Sequence, residues 1–368
     1  MSEIKVNSIK GVGASAAAIT VNNSDGTCTA NITNNLSNRN LIINGAMQVA
    51  QRGTSKSGVT GIEYPVMDRH KVLLLSAGTW TISQSTEAPS DNGFTKSMKY
   101  DCTTADGSLG ANDYLQHYIR IEGHDLQGIC KGTSGAKALT LSFWVKTNKT
   151  GTYNVEAIDQ DNSRLCSFAY TVSNTDWNKY TITFPADTTG AFADDNGPSL
   201  DIGFWLAAGS TYTSGSNQNT FNSFTQANRA PGNVNLADST SNEWYITGIQ
   251  LEVGTKATDF EHRSYNKELA LCQRYYEVHY QSAGAASMYS TGDSTIKFSH
   301  SWYFHQCKRA QPTVSLINGG AFNASGGSTI TLTGLFTSKN ICMFFSNSNQ
   351  FRLLGNTQAA LVEADAEL

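Results

Sequence analysis

The chain has 368 residues, of which 39% are hydrophobic and only 15% are charged, and its formal net charge is −4. This length suits two or three domains rather than one, and the charged fraction lies well below the roughly 25% of ordinary soluble domains. The weak net charge and the lack of a basic stripe argue against nucleic acid as a partner. Small polar residues and 32 glycines take the place of charge, which is typical of β-structure with many turns.

Seven scattered cysteines without a CxxC spacing argue against a disulfide framework and against a zinc site. We expect buried free thiols in a protein made in a reducing cytoplasm. Residues 1–10 contain no apolar signal core, and no stretch reaches the roughly 18 apolar residues of a membrane span. We therefore expect neither signal-dependent export nor membrane insertion, and release by lysis if the protein acts outside the cell.

Residues 1–39 contain short alternating runs, with Ile4 and Val6 first and Ile19 and Val21 later. A segment of this size leaves too much surface exposed to fold alone. We predict an attachment and oligomerisation segment that is completed by other copies of the chain or by a docking partner. The alternative is a disordered tail.

Residues 40–262 read as one large β-sandwich. Strands are predicted in ALTLSFWVKT (138–147), KYTITFPAD (179–187), SLDIGFWLAAG (199–209) and ITGIQLEVG (246–254). Apolar and polar residues alternate in each, so each strand has one core-facing side. The core-facing residues are Leu139, Leu141, Phe143 and Val145, then Tyr180, Ile182 and Phe184, then Leu200, Ile202, Phe204 and Leu206, then Ile249, Leu251 and Val253. This pattern favours two packed antiparallel sheets and excludes a doubly wound α/β fold.

Two further features of this region bear on function. The segment DQDNSR (159–164) predicts a hairpin tip, and residues 208–243 lack periodicity. A loop that long is usually functional or ordered by a neighbour. Trp144 and Trp205 lie opposite the core-facing residues of their strands, and flat rings stack on sugars, so both are candidate glycan-binding residues. Alternatively, both rings are buried under the 208–243 loop or a neighbouring subunit, or a register one residue different places them in the core.

Residues 263–277 predict a connector helix, with Ser264 as its N-cap. The spacing predicts one narrow packing stripe, and Arg274 falls away from it. The stripe consists of Tyr265, Leu269, Cys272 and Tyr276. Three turns are marginal in isolation, so the stripe must pack either on its own sandwich or in a bundle around a threefold axis.

Residues 278–368 predict a smaller C-terminal β-domain, most simply a second sandwich. Strands are predicted in STIKFSHSWYF (294–304), AQPTVSLI (310–317), STITLTGLF (328–336) and ICMFFS (341–346). The acidic ending ALVEADAEL (360–368) predicts a frayed tail.

Several landmarks of the chain resemble recurring segments of bacteriophage virion proteins. They are NLIINGAMQVAQRG (40–53), YPVMDRHKV (64–72), EWYITGIQLEVG (243–254), DFEHRSYNKELALCQRYYE (259–277) and KRAQPTVSL (308–316), and the opening SEIKVNSIKG (2–11) is similar to the N-terminal segments of the same group. The chain thus resembles tail fibres and related appendages of tailed phages, especially marine and cyanobacterial ones. The resemblance implies a homotrimer, attachment to the tail or virion through the N-terminal segment, and a jelly-roll related to carbohydrate-binding modules.

The sequence contains few residue patterns that indicate a metal site or a catalytic site. Asp159 and Asp161 lack the glycine and the distant glutamate of a calcium loop. His305 and Cys307 share a predicted strand face, but no HxH motif accompanies them, so no metal or other cofactor is predicted. No G-x-S-x-G elbow appears, and no repeat suggests the solenoid of a depolymerase.

We therefore expect a non-enzymatic virion fibre protein that assembles as a trimer and presents a glycan-binding surface to the host. The first alternative is a purely structural decoration or tail component without receptor binding. The second is a polysaccharide depolymerase, which would need paired carboxylates in a groove.

Overall fold

The computed structural model of this chain is mainly β, as predicted. It describes residues 38–280 without a gap, together with 6–10, 12, 19–21, 28–30, 298–316, 321–323, 332–346, 352–354 and 360–368. Within these described residues, no helix has the length and apolar character needed to cross a bilayer.

The N-terminal segment contains one small antiparallel sheet. Its strands, in spatial order, are β1 (Ser8–Ile9), β2 (Ile19–Val21) and β3 (Cys28–Ala30). Val6 and Ile9 are 45% and 54% exposed, so the described part of this segment leaves apolar side chains uncovered. Ile4 lies outside the described residues. The role of the segment in oligomerisation stays a prediction.

Two six-stranded antiparallel sheets form the large sandwich and confirm the predicted jelly-roll fold. The strands are β4 (Ser55–Val59), β5 (Lys71–Leu75), β6 (Thr79–Ser85), β7 (Ser97–Thr104), β8 (Tyr114–Glu122), β9 (Leu139–Thr147), β10 (Gly151–Asp159), β11 (Arg164–Val172), β12 (Asn178–Phe184), β13 (Pro198–Ala208), β14 (Asn222–Ser223) and β15 (Glu243–Val253). Sheet 1 has the order β14-β11-β10-β13-β8-β5, and sheet 2 has the order β12-β9-β15-β7-β6-β4. The chain crosses repeatedly between the sheets, so most neighbours within a sheet are distant in sequence.

Short helical segments connect some of these strands. They are the α-helix α1 (Ser210–Thr213) and 3₁₀ turns at Ser90–Asn92, Gly123–Ile129, Gln226–Asn228 and Leu236–Asp238. Three of the five lie in the predicted 208–243 loop, where β14 is the other regular element. The predicted hairpin tip at 159–164 is confirmed, because Asp159 pairs with Arg164 at the end of the β10–β11 ladder.

The core lies between the two sheets and matches the predicted alternation. The predicted core-facing residues of β9 and β13 are all buried there. Phe143 of β9 and Phe204 of β13 meet across the sheets with ring centroids 4.9 Å apart in an edge-to-face arrangement.

Strand β15 departs from simple alternation. A bulge lies between Thr247 and Gln250, where Gly248 takes a φ of 62° that glycine adopts without strain. Ile249 is buried as predicted, but Val253 is 41% exposed because it is the last residue of the strand.

A chain of hydrogen bonds between buried polar side chains crosses this core. His70 Nε2 lies 3.1 Å from the carbonyl oxygen of Asn44, His70 Nδ1 lies 3.1 Å from His117 Nε2, and His117 Nδ1 lies 2.9 Å from the hydroxyl of Tyr100. A carbonyl can only accept, so His70 must carry its proton on Nε2. His117 then donates from Nε2 to His70, and Tyr100 donates to His117. Both imidazoles are therefore neutral, and burial lowers the pKa of each.

The connector helix is shorter than predicted. Helix α2 (Tyr265–Gln273) follows the predicted N-cap Ser264. Cys272 is fully buried, but Tyr265 is 56% exposed and Leu269 is half-buried. The four stripe residues therefore do not share one helical face within this chain, and their packing in an oligomer stays a prediction.

Tyr276, the fourth residue of the stripe, lies in the next strand, β16 (Tyr276–Tyr280). The guanidinium carbon of Arg52 lies 3.5 Å from the centroid of the Tyr276 ring, and that of Arg69 lies 3.5 Å from the Tyr275 ring. These cation–π contacts hold both rings against the sandwich. The positions of the two rings are reached only because the helix ends at Gln273.

Arg274, predicted to lie away from the packing face, makes a two-point contact with the sandwich. Its Nε and Nη2 atoms donate to the two carboxylate oxygens of Glu122 at 2.9 and 2.7 Å, and Glu122 is buried. The helix end thus packs on its own sandwich, the first of the two alternatives. A bundle around a threefold axis stays untested by a single chain.

The C-terminal part consists of small sheets. Its strands are β16, β17 (Phe298–Tyr303), β18 (Thr313–Leu316), β19 (Ala321–Asn323), β20 (Leu332–Thr337), β21 (Ile341–Ser346), β22 (Arg352–Leu354) and β23 (Ala360–Asp365). They form the sheets β16-β23-β18, β17-β21-β20 and β19-β22. The predicted frayed tail is wrong, because β23 is the central strand of its sheet and Ala364 is fully buried.

Candidate ligand-binding site

A groove on the outer face of sheet 1 has a volume of ≈ 440 Å³. Its lining includes Gln116, Tyr118, Gln160, Tyr212, Phe224 and Arg229. The register explains how the floor forms, because Tyr118 of β8 pairs with Gly203 of β13, which in turn pairs with Glu156 of β10. Residues that pair across adjacent strands point to the same side of a sheet, so these three positions form one row across the outer face.

Gly203 keeps the centre of this row open. A Cβ atom at this position would lie 3.0 Å from Glu156 Oε1, 3.1 Å from the Tyr118 ring and 3.2 Å from Gln116 Nε2. The missing side chain therefore allows three polar side chains to converge on one point of the floor.

Glu156 is fully buried beneath the groove and is held by two residues. Arg229 donates from Nε and Nη2 to its two oxygens at 2.9 and 2.6 Å, and Gln116 Nε2 donates to Oε1 at 2.8 Å. A two-point guanidinium–carboxylate pair is among the strongest charge-assisted contacts. It neutralises Glu156 and fixes Arg229 in the groove wall.

A second buried carboxylate, Asp201, supports the neighbouring part of the floor. Its Oδ2 accepts from the Tyr118 hydroxyl at 2.8 Å and from Gln160 Nε2 at 2.6 Å, and its Oδ1 lies 3.4 Å from Arg120 Nε. Burial raises the pKa of Asp201, while Arg120 and the two hydrogen-bond donors act in the opposite direction. Burial, and next the charge of Asp201, also raises the pKa of Tyr118 well above its usual range, so its hydroxyl remains protonated and donates.

The 208–243 loop forms a wall of the groove. That the loop is functional or ordered by a neighbour stays a prediction. The loop supplies Tyr212, Phe224 and Arg229. The Arg229 guanidinium lies 4.7 Å from the Trp205 ring centroid, 5.3 Å from Phe224 and 5.6 Å from Tyr212. Tyr114 of β8 packs edge-on against Tyr212 with centroids 5.7 Å apart, so aromatic surface follows one side of the groove.

The two tryptophans predicted to bind glycan lie on opposite faces of the sandwich. Trp205 is on the groove side but is fully buried, packed with Tyr212 and Ala230 of the loop. This is the predicted alternative in which the loop covers the ring, and it leaves no face of Trp205 open to a sugar in this conformation. Its contribution is to support Tyr212 and Arg229 from below.

Trp144 is half-buried on the outer face of sheet 2. A Cβ atom at Gly248 would lie 2.9 Å from Trp144 Cδ1 and 2.7 Å from the Phe94 ring, so both rings pack over this glycine. Phe94 extends the aromatic surface to Phe260, with ring centroids 5.0 Å apart. Glycan binding by Trp144 stays a prediction.

The weaker metal candidates are not brought together. His305 and Cys307 lie in the turn after β17 and not on a strand, and the His305 side chain contacts the buried Glu277. Asp159 is paired with Lys131 at 2.5 Å. Among the described residues, no group of three or more metal-ligating side chains is present.

Sequence reasoning missed every polar residue of the groove floor. Gln116, Glu156 and Asp201 lie at outward positions of three strands that are distant in sequence. The available signal was the acid or amide at an outward position of an otherwise apolar strand, as in SLDIGFW, because a buried polar residue requires a partner.

Comparisons with known proteins place the fold among solved structures only distantly. No protein-family model matches the chain, and no curated protein matches it. It is similar to the enzymatically active domain of tailspike protein 4 of bacteriophage CBA120, with 12% identity and a TM-score of 0.30 over 58% of this chain and 21% of that one. It is also similar to a CBM4 chain (13% identity, TM-score 0.29, 57% of this chain and 97% of that one). A third similar structure is TmCBM61 in complex with β-1,4-galactotriose (9% identity, TM-score 0.28, 58% and 99%). The match thus spans about a fifth of the tailspike domain, and these TM-scores are too low to assign a function.

Proposed function

We propose that the large sandwich binds a carbohydrate in the groove of sheet 1 without cleaving it. The observation that supports this proposal is the groove itself, where an aromatic wall faces a floor of amide and phenol groups held by buried carboxylates. Aromatic rings stack on the apolar faces of sugar rings, while amides and phenols hydrogen-bond to hydroxyls.

The way in which the acids beneath the groove are used supports binding without cleavage. A glycosidase needs two carboxyl groups that reach the scissile bond, one to donate a proton and one to act as base or nucleophile. Both oxygens of Glu156 are engaged by Arg229 and Gln116, and Asp201 is fully buried under Tyr118 and Gln160. These carboxylates orient other groups and do not face the groove as free acids.

Affinity electrophoresis and calorimetry on a panel of soluble glucans, xylans, galactans and mannans test the proposal. Phe224→Ala removes a half-buried ring from the groove wall, and Trp144→Ala removes a half-buried ring from the opposite face. We expect Phe224→Ala to weaken binding at least tenfold, since stacking contributes about 1–3 kcal/mol per ring. Loss of binding in Trp144→Ala alone would instead place the site on sheet 2. Release of reducing ends from any bound polymer would contradict the non-enzymatic assignment.

We also propose that the chain is a homotrimeric fibre protein of a phage virion, attached through the N-terminal segment to other virion or tail proteins. Support comes from the landmark segments described above and from the small N-terminal sheet, which leaves Val6 and Ile9 exposed. Three copies would cover these side chains and present three grooves, so that avidity raises a weak glycan affinity.

Light scattering coupled to size exclusion tests the trimer, and a monomer at micromolar concentration would contradict it. Labelling of phage particles with antibodies to the sandwich tests the location. Labels at the distal tail with blocked adsorption support a receptor-binding fibre, whereas labels elsewhere without effect on adsorption support a purely structural component.

A further inference from the structure

We infer that the groove takes a neutral, hydroxyl-rich saccharide and discriminates against acidic ones, and that Asp201 is the positioning residue for this discrimination. The inference rests on the proposed carbohydrate-binding function. It follows from the direction of the hydrogen bonds beneath the floor.

Ionised carboxylates only accept hydrogen bonds. Tyr118 must therefore donate its single hydroxyl proton to Asp201, which leaves the phenol oxygen as a pure acceptor toward the groove. Gln116 and Gln160 must turn their NH₂ groups toward Glu156 and Asp201, so their carbonyl oxygens point away from the carboxylates. The floor consequently offers acceptors to a ligand.

The charged residues of the lining make ion pairs and hydrogen bonds with other protein groups. Among the described lining residues, Arg229 is the only cation; it donates from Nε and Nη2 to Glu156 and from Nη1 to Gln226 at 3.1 Å, which engages three of its five N–H donors. Asp159 is the only acid among the same described lining residues, and it pairs with Lys131.

Sugar hydroxyls can donate to an acceptor floor, whereas carboxylate and sulfate groups cannot. An acidic group placed there would lose its hydration without gaining a donor, and it would lie near two buried carboxylates. The floor of the groove therefore disfavours acidic sugars through unsatisfied acceptors rather than through size.

The test compares the affinity for the neutral polysaccharide that binds best with the affinity for its own C6-carboxylated derivative. Each titration raises the polymer concentration in about tenfold steps and is run at 50 and at 500 mM NaCl. We expect the neutral polymer to bind more tightly by roughly tenfold or more and its binding to be insensitive to salt. Equal or tighter binding of the carboxylated polymer would overturn the inference and leave the proposed function intact. Failure of every polysaccharide to bind would overturn both.

The variant Asp201→Asn distinguishes a role of Asp201 in orienting the Tyr118 hydroxyl from a role in stabilising the fold alone. The amide of asparagine can donate to the Tyr118 oxygen, which frees the hydroxyl proton for the groove, so the preference for the neutral polymer should shrink by several-fold. A purely structural role would lower both affinities and leave their ratio unchanged, which would overturn the role of Asp201. Asp176→Asn, an exposed acid in the turn between β11 and β12, is the matched control.

If Asp201→Asn does not fold, Tyr118→Phe provides the same information. It removes the acceptor oxygen, so it should weaken the neutral polymer while leaving the carboxylated one unchanged. An equal loss for both polymers would overturn the inference.

Discussion

The neutral histidine pair in the core makes the sandwich sensitive to acid. Burial lowers the pKa of His70 from 6.5 to about 3, so below pH 6.5 the unfolded chain takes up a proton that the folded chain cannot accept. The contribution of neutral His70 to the free energy of unfolding is therefore fully present above pH 6.5, and it is lost progressively as the pH decreases from 6.5 toward 3. At pH 5 the loss from His70 amounts to about 2 kcal/mol, at ~1.4 kcal/mol per pH unit.

Two other buried groups modify this loss. The pKa of His117 is also lowered, first by burial and then by the neighbouring His70, so it acts in the same direction. Burial raises the pKa of Asp68 from 3.8 to about 6, so the folded state gains a proton first and Asp68 stabilises the fold as the pH falls. Its contribution at pH 5 is about 1.4 kcal/mol, which offsets part of the histidine effect.

Urea unfolding at pH 7.5 and pH 5, followed by the fluorescence of the buried tryptophans, measures the net effect in wild type and in His70→Gln. Glutamine can donate to the Asn44 carbonyl and accept from His117 but does not titrate in this range. We expect the variant to lose about 2 kcal/mol less than wild type between the two pH values. The control is His124→Gln, which removes a half-exposed histidine beside Asp194.

Identical pH dependence in wild type and His70→Gln would refute this reasoning. If the variant does not fold, ¹⁵N chemical shifts of the wild-type imidazoles decide the same question. Both histidines should show a protonated Nε2 and an unprotonated Nδ1 from pH 7.5 down to about pH 5. An imidazolium signal for His70 at pH 5 would contradict the neutral hydrogen-bonded chain.

Three further predictions concern the helix, the groove floor and the second aromatic face. Arg274→Asp should lower the free energy of unfolding by about 3–5 kcal/mol, because it leaves the buried Glu122 unpaired, and the loss should lie toward the lower end because Arg274 is 37% exposed. Leu269→Asp should be milder. The reverse order of the two variants in denaturant titrations would contradict the packing described here. Gly203→Ala should reduce polysaccharide affinity severalfold while changing the melting temperature little, because its Cβ would press on three groove side chains at 3.0–3.2 Å; unchanged affinity in calorimetry would count against the groove. Trp144→Ala should lower the melting temperature of the sandwich by a few degrees, since the Trp144 ring packs over Gly248. An unchanged melting temperature together with lost polysaccharide binding would instead support Trp144 as a glycan-binding residue.

The sequence by itself determined the fold class and most of the core. Alternation over β9, β12 and β13 identified both the strands and their buried faces. Burying one side of a sheet gives apolar residues at every second position, which differs from the period of about 3.6 residues in a helix. The hairpin tip at 159–164 and the start of the helix after Ser264 followed from local rules that depend on a few adjacent residues, although the Ser264 side chain makes no capping hydrogen bond. The local sequence did not show where the helix ends, since Tyr275 and Tyr276 take their positions from Arg69 and Arg52 in the sandwich.

Only the tertiary structure decided the site. Glu156, Asp201 and Arg229 come from two strands and a loop, and their meeting depends on the strand order of sheet 1, which brings together residues that are far apart in sequence. Alternation identified Trp205 as outward-facing, but a strand pattern does not reveal whether a distant loop folds back over that face, and here the 208–243 loop does so. The same physical reason applies to the acidic tail, whose charges suggested fraying while its place between β16 and β18 made it a central strand.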